Sequence, residues 1–584
     1  MSKLEKLRSS TCLHDIAELL GFKPRALSYL LYKKNSKAKY LKFEIPKRSG
    51  GMRTICAPCP DLMNLQRRLA EYLQECIAEI NSARKVTSAL SHGFKPKFSI
   101  ITNASVHRNR RYVLNVDLEN FFGTINFGRV RGFFISNMHF SLEPKVATLL
   151  AQIACFENAL PQGSPCSPVI SNLIGHLLDI RLANLANKTG CSYSRYADDI
   201  TFSTNKPSFP SELACLVDGE PHSWSIGATL EKLISKAGFK VNPTKTRMQY
   251  CASRQEVTGL IVNKKVNTRT EYRHAARAMV HRLLTKGDFF IKHQILGEDG
   301  KPASEEQAGT IEQLNGILSF IDSIRLHSLR KAMPESEQGK DLGPSEFPDA
   351  SERLYQRFLF FKHFFGASLP VVVCEGKTDN IYIQCAIHRL AKEYPSLAEI
   401  DAKSAVKRKL AFFRRTPTTD RMLGLSGGTS QLVDFLKDYQ AEHRKLKSPV
   451  NRPPVIVLID NDDGAKSVFG YLKNVLKLKA APDGSAPFYS VAKNLYVVAT
   501  PIAAPATSSA IEDFFPASVL AEKLGGKSFN PKNEGLDHKT EYGKSHFATH
   551  VVKKNEATIN FDGFKPILSR LEAVIAHHAT APAA

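Results

Sequence analysis

The chain has 584 residues, 43% hydrophobic and 23% charged, with 80 Lys and Arg against 56 Asp and Glu for a net charge of +24. Single hydrophobic cores stop growing at about 250–300 residues, so at least two domains are expected, and the composition excludes a disordered or fibrous chain. The cationic excess favours a polyanionic partner, because each phosphate contact releases condensed counterions.

The longest apolar runs, such as Val371–Cys374 and Val455–Ile459, fall far short of the roughly 20 residues a membrane helix needs. The leading MSKLEKLRSST has no apolar stretch of the signal-peptide kind. Eleven scattered cysteines read as reduced thiols, and the Cys56/Cys59 pair has no second pair at zinc-ribbon spacing. These features predict a cytoplasmic protein with no membrane partner.

In chain order, the first half mixes basic helices with strand hairpins. RYVLNVDLENFF predicts a strand ending at Asp117. CSYSR and ITFST are short β-prone runs around Tyr196-Ala197-Asp198-Asp199, which puts the two acids in a hairpin turn. Turns commonly hold Asp, but adjacent carboxylates at a strand tip repel unless a cation neutralises them. With Asp117, 81 residues before Asp198, they can hold two Mg²⁺ ions, one on a primer hydroxyl and one on a triphosphate. Arg273, Arg277 and Arg282 fall at helical spacing around HAARAMVHRLL, a cationic face suited to a nucleic-acid backbone. A helical apolar pattern follows in IEQLNGILSFIDSIRLHSLRK, then linker composition over residues 330–352. ERLYQRFLFFKHFF predicts an aromatic helix packed between the two halves.

The second half alternates short apolar strands with helices, which predicts a parallel sheet covered by helices. VVVCEGKTD places Glu375 just after one strand, and VIVLIDNDDG places Asp460 and Asp462 after another. Strand C-termini of a parallel sheet form the ligand crevice, so these acids can converge on a divalent ion. Gly427-Gly428-Thr429 reads either as a phosphate nest or as an ordinary turn into a helix.

The Asp117 and Asp198-Asp199 constellation, with LPQGSPCSP at 160–168, GFKVNPTKT at 238–246 and VTGLIVN at 257–263, resembles the ordered motif series of reverse transcriptases. The resemblance implies a right-hand fold of fingers, palm and thumb, with Asp117, Asp198 and Asp199 as catalytic metal ligands. It also implies that Phe122 is a steric gate against a ribonucleotide 2′-OH. Gln162 would border the incoming nucleotide, Lys245 approach the triphosphate, and Arg53 grip the phosphates. The NAxxH run Asn103–His107 together with Val257-Thr258-Gly259 resembles the retron reverse transcriptases of bacteria, which implies RNA recognition by Asn103, His107, Val257, Thr258 and Gly259. Partners implied by that family are dNTPs and a dedicated non-coding RNA. Its product is a branched RNA–DNA hybrid (msDNA) primed from an internal 2′-OH.

The pattern hhhEGxTD…hhhhDxD resembles the Toprim fold of topoisomerases, primases and OLD-family nucleases. It implies Glu375 as general acid or base and Asp460 and Asp462 as ligands for Mg²⁺ or Mn²⁺. Glu512, Asp513 and Lys544 are similar to late motifs of the nuclease branch. The expected architecture is thus an α/β and α+β multidomain chain. Fingers and palm occupy 1–265, the thumb 266–332, a linker and connecting helix 333–368, and a Toprim-like domain with a parallel sheet 369–584. The expected function is retron-type DNA synthesis joined to a nuclease-like effector of anti-phage defence. The alternatives are a non-catalytic C-terminal binding or sensing module, and a group II intron-like maturase.

Overall fold

A computed structural model describes the chain except residues 47–50, 85–88, 218–221, 297–301, 451, 533–534 and 581–584. It divides into two units, one of Met1–Arg273 with Ser323–Ala332 and the other of His274–Asp322 with Met333–Ala584. Among the described residues, no helix is long and apolar enough to cross a membrane.

The first unit is built around a four-stranded antiparallel sheet. A separate hairpin of β1 (Tyr40–Pro46) and β2 (Met52–Pro58) precedes it. The sheet contains β3 (Tyr112–Leu118), β4 (Ser192–Tyr196), β5 (Asp199–Thr204) and the strand Val241–Tyr250, in the order β4, β5, β3, then the last strand. Its β3 is central because Val113, Leu114, Val116 and Leu118 are all buried, so it is covered on both faces. Helix Ser167–Thr189 buries Val169, Ile170, Ile174, Leu178 and Leu182 in the same core.

Ser164 and Gln66 tie this helix's entry to helix Pro60–Ala83. The Ser164 hydroxyl donates to Gln66 Oε1 at 2.8 Å, while Gln66 Nε2 donates to the Ile153 carbonyl. Buried polar side chains are thereby satisfied between elements distant in sequence.

In the second unit, strands Val371–Cys374, Ala411–Phe412, Val455–Ile459 and Leu495–Ala499 run parallel, and Tyr489–Ala492 pairs antiparallel at the edge. Val455–Ile459 is buried at every position, as expected for a parallel strand with helices on both faces. Residues 333–349 contain neither helix nor strand, consistent with their linker composition.

The segment around ERLYQRF packs between stretches that precede and follow the linker. Tyr355, Phe358 and Leu359 of helix Ala350–Phe360 are buried within the second unit's own core, beside Leu314, Leu318 and Phe413. Its aromatic face is therefore core of that unit. The expected thumb divides differently: Ala276, Val280 and Leu283 of helix Thr270–Lys286 bury their apolar face in the same core. Of its three arginines, Arg273 donates to the Thr268 carbonyl and Arg282 pairs with Asp288 at 2.9 Å, so both are held locally.

A buried ionic triad supports the second unit. Arg421 pairs with Asp322 and, at 3.3 Å, with Glu352, and all three side chains are less than a tenth exposed. Replacing Arg421 by Met removes the cation and leaves two desolvated carboxylates. We expect a loss of about 3–5 kcal/mol of stability, read as a lower urea midpoint, whereas an unchanged midpoint would mean that the triad contributes nothing net.

Candidate functional sites

Register places the first set of carboxylates. Antiparallel pairing puts Asp117 of β3 opposite Asp199 of β5, and the Leu118 amide donates to the Asp198 carbonyl at 3.0 Å. The β4–β5 hairpin turns through Ala197 and Asp198, with Ala197 at φ +56°, a left-handed conformation uncommon for a residue with a Cβ. Gly93 permits the turn to lie close, since a Cβ there would meet the Ala197 nitrogen at 2.8 Å. Asp117 and Asp198 border a cleft of about 980 Å³ whose lining also includes Arg53, Phe122, Gln162 and Lys245, while Asp199 lies outside that lining.

Local chemistry explains each of these positions. Gly163 adopts φ +117° and lets the LPQG loop press onto β2, where the Cys56 amide donates to the Gln162 carbonyl at 2.7 Å. Phe122 packs edge-on against the buried Phe121, at 5.4 Å between rings, and remains half-buried on the cleft wall. Arg53 is exposed on β2 with its guanidinium available to the cleft. Lys245 Nζ donates to both oxygens of Asp117, at 3.0 and 3.2 Å.

Desolvation raises the Asp198 carboxyl above its ordinary range, and Asp117 adds to the effect. Asp199 is reachable by solvent, yet protein atoms displace much of the water around its turn. Desolvation, then the charges of Asp198 and Asp117, push it up to about 6. The cluster therefore carries more negative charge than its neighbours compensate. Among the described residues, no three His, Cys, Asp or Glu side chains already surround one metal-sized point. The donor set nevertheless suits hard divalent cations, which take carboxylate oxygens. The Lys245 ammonium now supplies the counter-charge on Asp117, so a cation entering there must exchange with it.

A further residue, unassigned from sequence, holds this turn from beneath. Arg195, fully buried on β4, forms a two-pronged ion pair with Asp179, Nε–Oδ1 at 2.7 Å and Nη2–Oδ2 at 2.8 Å. Its Nη1 donates to the Ala197 carbonyl at 2.8 Å. Burial alone would lower the Arg195 pKa, but Asp179 more than offsets this and keeps the guanidinium charged. Gly175 leaves room for it, since a Cβ there would lie 2.7 Å from Nη2.

Three of the five residues expected to read RNA do not reach the surface. Asn103, His107 and Val257 are all fully buried. His107 Nδ1 lies 2.7 Å from Ser203 Oγ and Nε2 lies 2.7 Å from Ser194 Oγ, while Ser194 donates to Asn103 Oδ1. With the Ser194 proton so used, its oxygen accepts from His107 Nε2–H, and Nδ1 accepts from Ser203. Desolvation lowers the His107 pKa to about 3, so the ring is neutral. Asn103 and His107 thus brace helix Ile100–Val106 against β4 and β5 and cannot themselves touch RNA. Thr258 and Gly259 form a tight turn with φ of +47° and +82°, and Thr258 Oγ1 donates to the Ile100 carbonyl at 3.3 Å. The two sequence motifs therefore meet, with only the turn facing outward.

The second acidic cluster lies at the C-terminal ends of parallel strands. The Glu375 amide donates to the Leu458 carbonyl, and the Asp460 amide donates to Glu375 Oε2 at 3.3 Å. Asp460 Oδ1 accepts from the Ile511 amide at 2.9 Å, and Lys544 pairs with the buried Glu512 at 3.0 Å. Asp379, present in the VVVCEGKTD run but unassigned there, is buried and accepts from the Gly376 amide at 2.6 Å. Desolvation first, then Asp379, Glu375 and Glu512, push Asp460 up to about 8. Desolvation and the neighbouring acids Asp462 and Asp379 push Glu375 up to about 7.

Asp462 is exposed and accepts from the Gly464 amide, while Asp513 faces outward and accepts from the Ala510 amide. Asp513 thus stands apart from the Glu512–Lys544 pair as a local cap. In the Gly427-Gly428-Thr429 run the Gly427 amide, like that of Ser426 before it, is taken by Gln431 Oε1, at 3.0 and 2.6 Å respectively.

Residues 45–295 match the family "Reverse transcriptase (RNA-dependent DNA polymerase)". The chain is 33% identical over 284 residues to the retron Mx65 reverse transcriptase of Myxococcus xanthus, covering 46% of this chain and 62% of that protein. It is 31% identical over 326 residues to the Mx162 reverse transcriptase of the same organism, covering 52% and 62%. The match thus spans less than two thirds of either Myxococcus protein. To the retron Ec86 reverse transcriptase of Escherichia coli it is 30% identical over 320 residues, covering 55% of this chain and 86% of that protein.

The second cluster generates a pH prediction for the metal-free chain. Carboxyls with raised pKa values hold protons in the native state that the unfolded chain releases, so stability falls as pH rises from about 4 to about 8. Asp460→Asn removes most of that dependence. In EDTA, the variant's urea midpoint should exceed the parent's at pH 8 and converge with it near pH 4. A parent midpoint that is flat between pH 5 and 8 would contradict the assigned crowding.

Proposed function

The chain belongs to the retron reverse transcriptases, and from that premise we propose that its first unit copies a structured RNA into DNA. The observation that carries this reading is the register of β3 against β5, which sets Asp117 opposite Asp199 beside a cleft that Asp117 and Asp198 line. When bound there, two Mg²⁺ ions would activate a primer hydroxyl and neutralise charge on a triphosphate. The chain's own residues do the rest. Arg53 offers a planar, multi-donor cation to the phosphates, and Lys245, released from Asp117, supplies a second positive charge to the same cleft. Phe122 closes the wall where a 2′-OH would enter, and Arg195 fixes the carbonyl of the turn that carries both hairpin acids. The substrates of this reading are dNTPs, and the template is a cognate non-coding RNA. Its product is a branched RNA–DNA hybrid primed from an internal 2′-OH.

For the second unit we propose a metal-dependent, Toprim-like nuclease site that serves as effector in anti-phage defence. The specific support is the crowding of Glu375, Asp379, Asp460 and Glu512 around Lys544; burial raises the pKa of Glu375, Asp460 and Glu512, so their ionised forms are unfavourable until a cation such as Mg²⁺ or Mn²⁺ binds among them. A site of this kind suits phosphodiester hydrolysis better than mere strand capping, because buried acids without a counter-ion are costly.

The two readings separate by mutation. Asp198→Asn with Asp199→Asn should lower DNA synthesis on an RNA template by at least about a thousandfold. Arg195→Lys should give a smaller loss, because the amine cannot satisfy Asp179 and the Ala197 carbonyl together. Glu375→Ala or Asp460→Ala should leave the DNA product intact on a gel while abolishing protection of phage-challenged cells. Normal protection in Glu375→Ala cells would make the second unit a binding module, and synthesis retained in the double aspartate variant would move the polymerase site elsewhere.

A further inference from the structure

Between Glu18 and Glu44 the chain carries seven Lys or Arg and no acid. Helix Pro24–Ser28 continues into a π-helical turn over Tyr29–Lys33, a widened geometry that recurs at functional sites. Its inner face buries Leu27 and Leu30 in the first unit's core. Its outer face presents Arg25, Tyr29, Tyr32 and Lys33, spaced three and four apart so that they share one side. Tyr29 is 57% exposed and Tyr32 55% exposed, high for aromatic rings on an ordered helix. The Tyr32 hydroxyl donates to Gln152 Oε1 at 3.1 Å, which fixes that ring's outward pose.

Most of the charge here is uncompensated. Lys34 pairs with Asp61 at 3.6 Å, Lys42 pairs with Glu157 at 2.6 Å, and Lys39 Nζ donates to the Leu31 carbonyl. Lys23, Arg25, Lys33 and Lys37 are exposed and form no ion pair among the described residues. Arg25 and Lys33 on the side of the outward rings, with exposed Lys23 and Lys37 flanking them in the chain, match a single nucleic-acid strand, whose phosphates take the charge and whose unpaired bases stack on the rings. An acidic protein surface would use the cations but would leave two tyrosine faces without partners.

We propose that the exposed side of the Arg25–Lys37 segment is a docking surface for a single-stranded segment of RNA, outside the polymerase cleft. The choice of RNA over DNA rests on the reading of this chain as an RNA-copying enzyme. That reading is tested separately, by whether the unmodified chain extends a DNA primer on an RNA template.

The docking experiment uses the full chain with a labelled single-stranded RNA 20-mer and a DNA of the same sequence, measured by filter binding across a salt series. Lys33→Gln with Lys37→Gln should make the slope of log affinity against log salt shallower by about 1.4, since each single-strand phosphate contact contributes about 0.7. Tyr29→Ala with Tyr32→Ala should weaken RNA binding about tenfold or more at fixed salt. Tyr29→Phe with Tyr32→Phe keeps both rings and should bind as the parent does. Thermal midpoints matching the parent's establish that the variants are folded. Parent-like RNA affinity in folded Tyr→Ala and Lys→Gln variants would overturn the proposal. So would a loss confined to the lysine variant, which indicates diffuse attraction without stacking, or a loss seen with DNA but not with RNA. Failure of primer extension by the parent would instead strike at the polymerase reading, leaving the affinity result to stand by itself.

Discussion

Carboxylates crowded at strand ends are the constraint on which both units turn. In the first, the β3–β5 register sets Asp117 across from Asp199 with Asp198 at the turn, a placement that costs electrostatic energy until cations arrive. Much of the surrounding construction is there to hold that unfavourable geometry. Arg195 and Asp179 anchor the turn's carbonyl, Gly93 and Gly175 make room for close approach, and Lys245 stands on Asp117 as a provisional counter-charge. The second unit repeats the theme on a parallel sheet, where Glu375 and Asp460 leave adjacent strands, with Asp379, Glu512 and Lys544 around them.

The placement of Asp117, Asp198 and Asp199 was legible because divalent-cation chemistry would demand one residue type at one kind of place. An Asp at the end of an apolar strand and an Asp pair between two β-prone runs can be read without coordinates. Alternating strands and helices in the second half likewise announced the parallel sheet that the fold contains. The supports were not legible. Arg195 sits in SYSRY, where a charged residue would ordinarily mark the solvent side, yet Tyr193, Ser194 and Arg195 are all buried. Only the partner Asp179, on a helix 16 residues earlier, makes that burial affordable, and no local pattern reveals the pairing.

The NAxxH run shows the opposite difficulty. Polar residues in a short motif invite a reading as contacts, but Asn103 and His107 close a hydrogen-bond chain through Ser194 and Ser203 inside the protein. A buried, neutral histidine that donates once and accepts once is a fastening between helix and sheet. Aromatic ERLYQRFLFFKHFF was legible as a helix packed between the sequence halves, but its partners, Leu314 and Leu318 on one side and Phe413 on the other, were not. Burial of Tyr355 and Phe358 places it in the second unit's core.

The central claim is that Asp117, Asp198 and Asp199 together take up divalent cations, with Lys245 giving way. Iron(II) substituted for Mg²⁺ on the full chain, followed by ascorbate and peroxide, cleaves backbone within reach of the bound ion. The account predicts cuts next to 117 and 198–199 that Mg²⁺ suppresses by competition and that Asp117→Asn removes. Cleavage absent from both segments, or unaffected by Mg²⁺ and by Asp117→Asn, would contradict it.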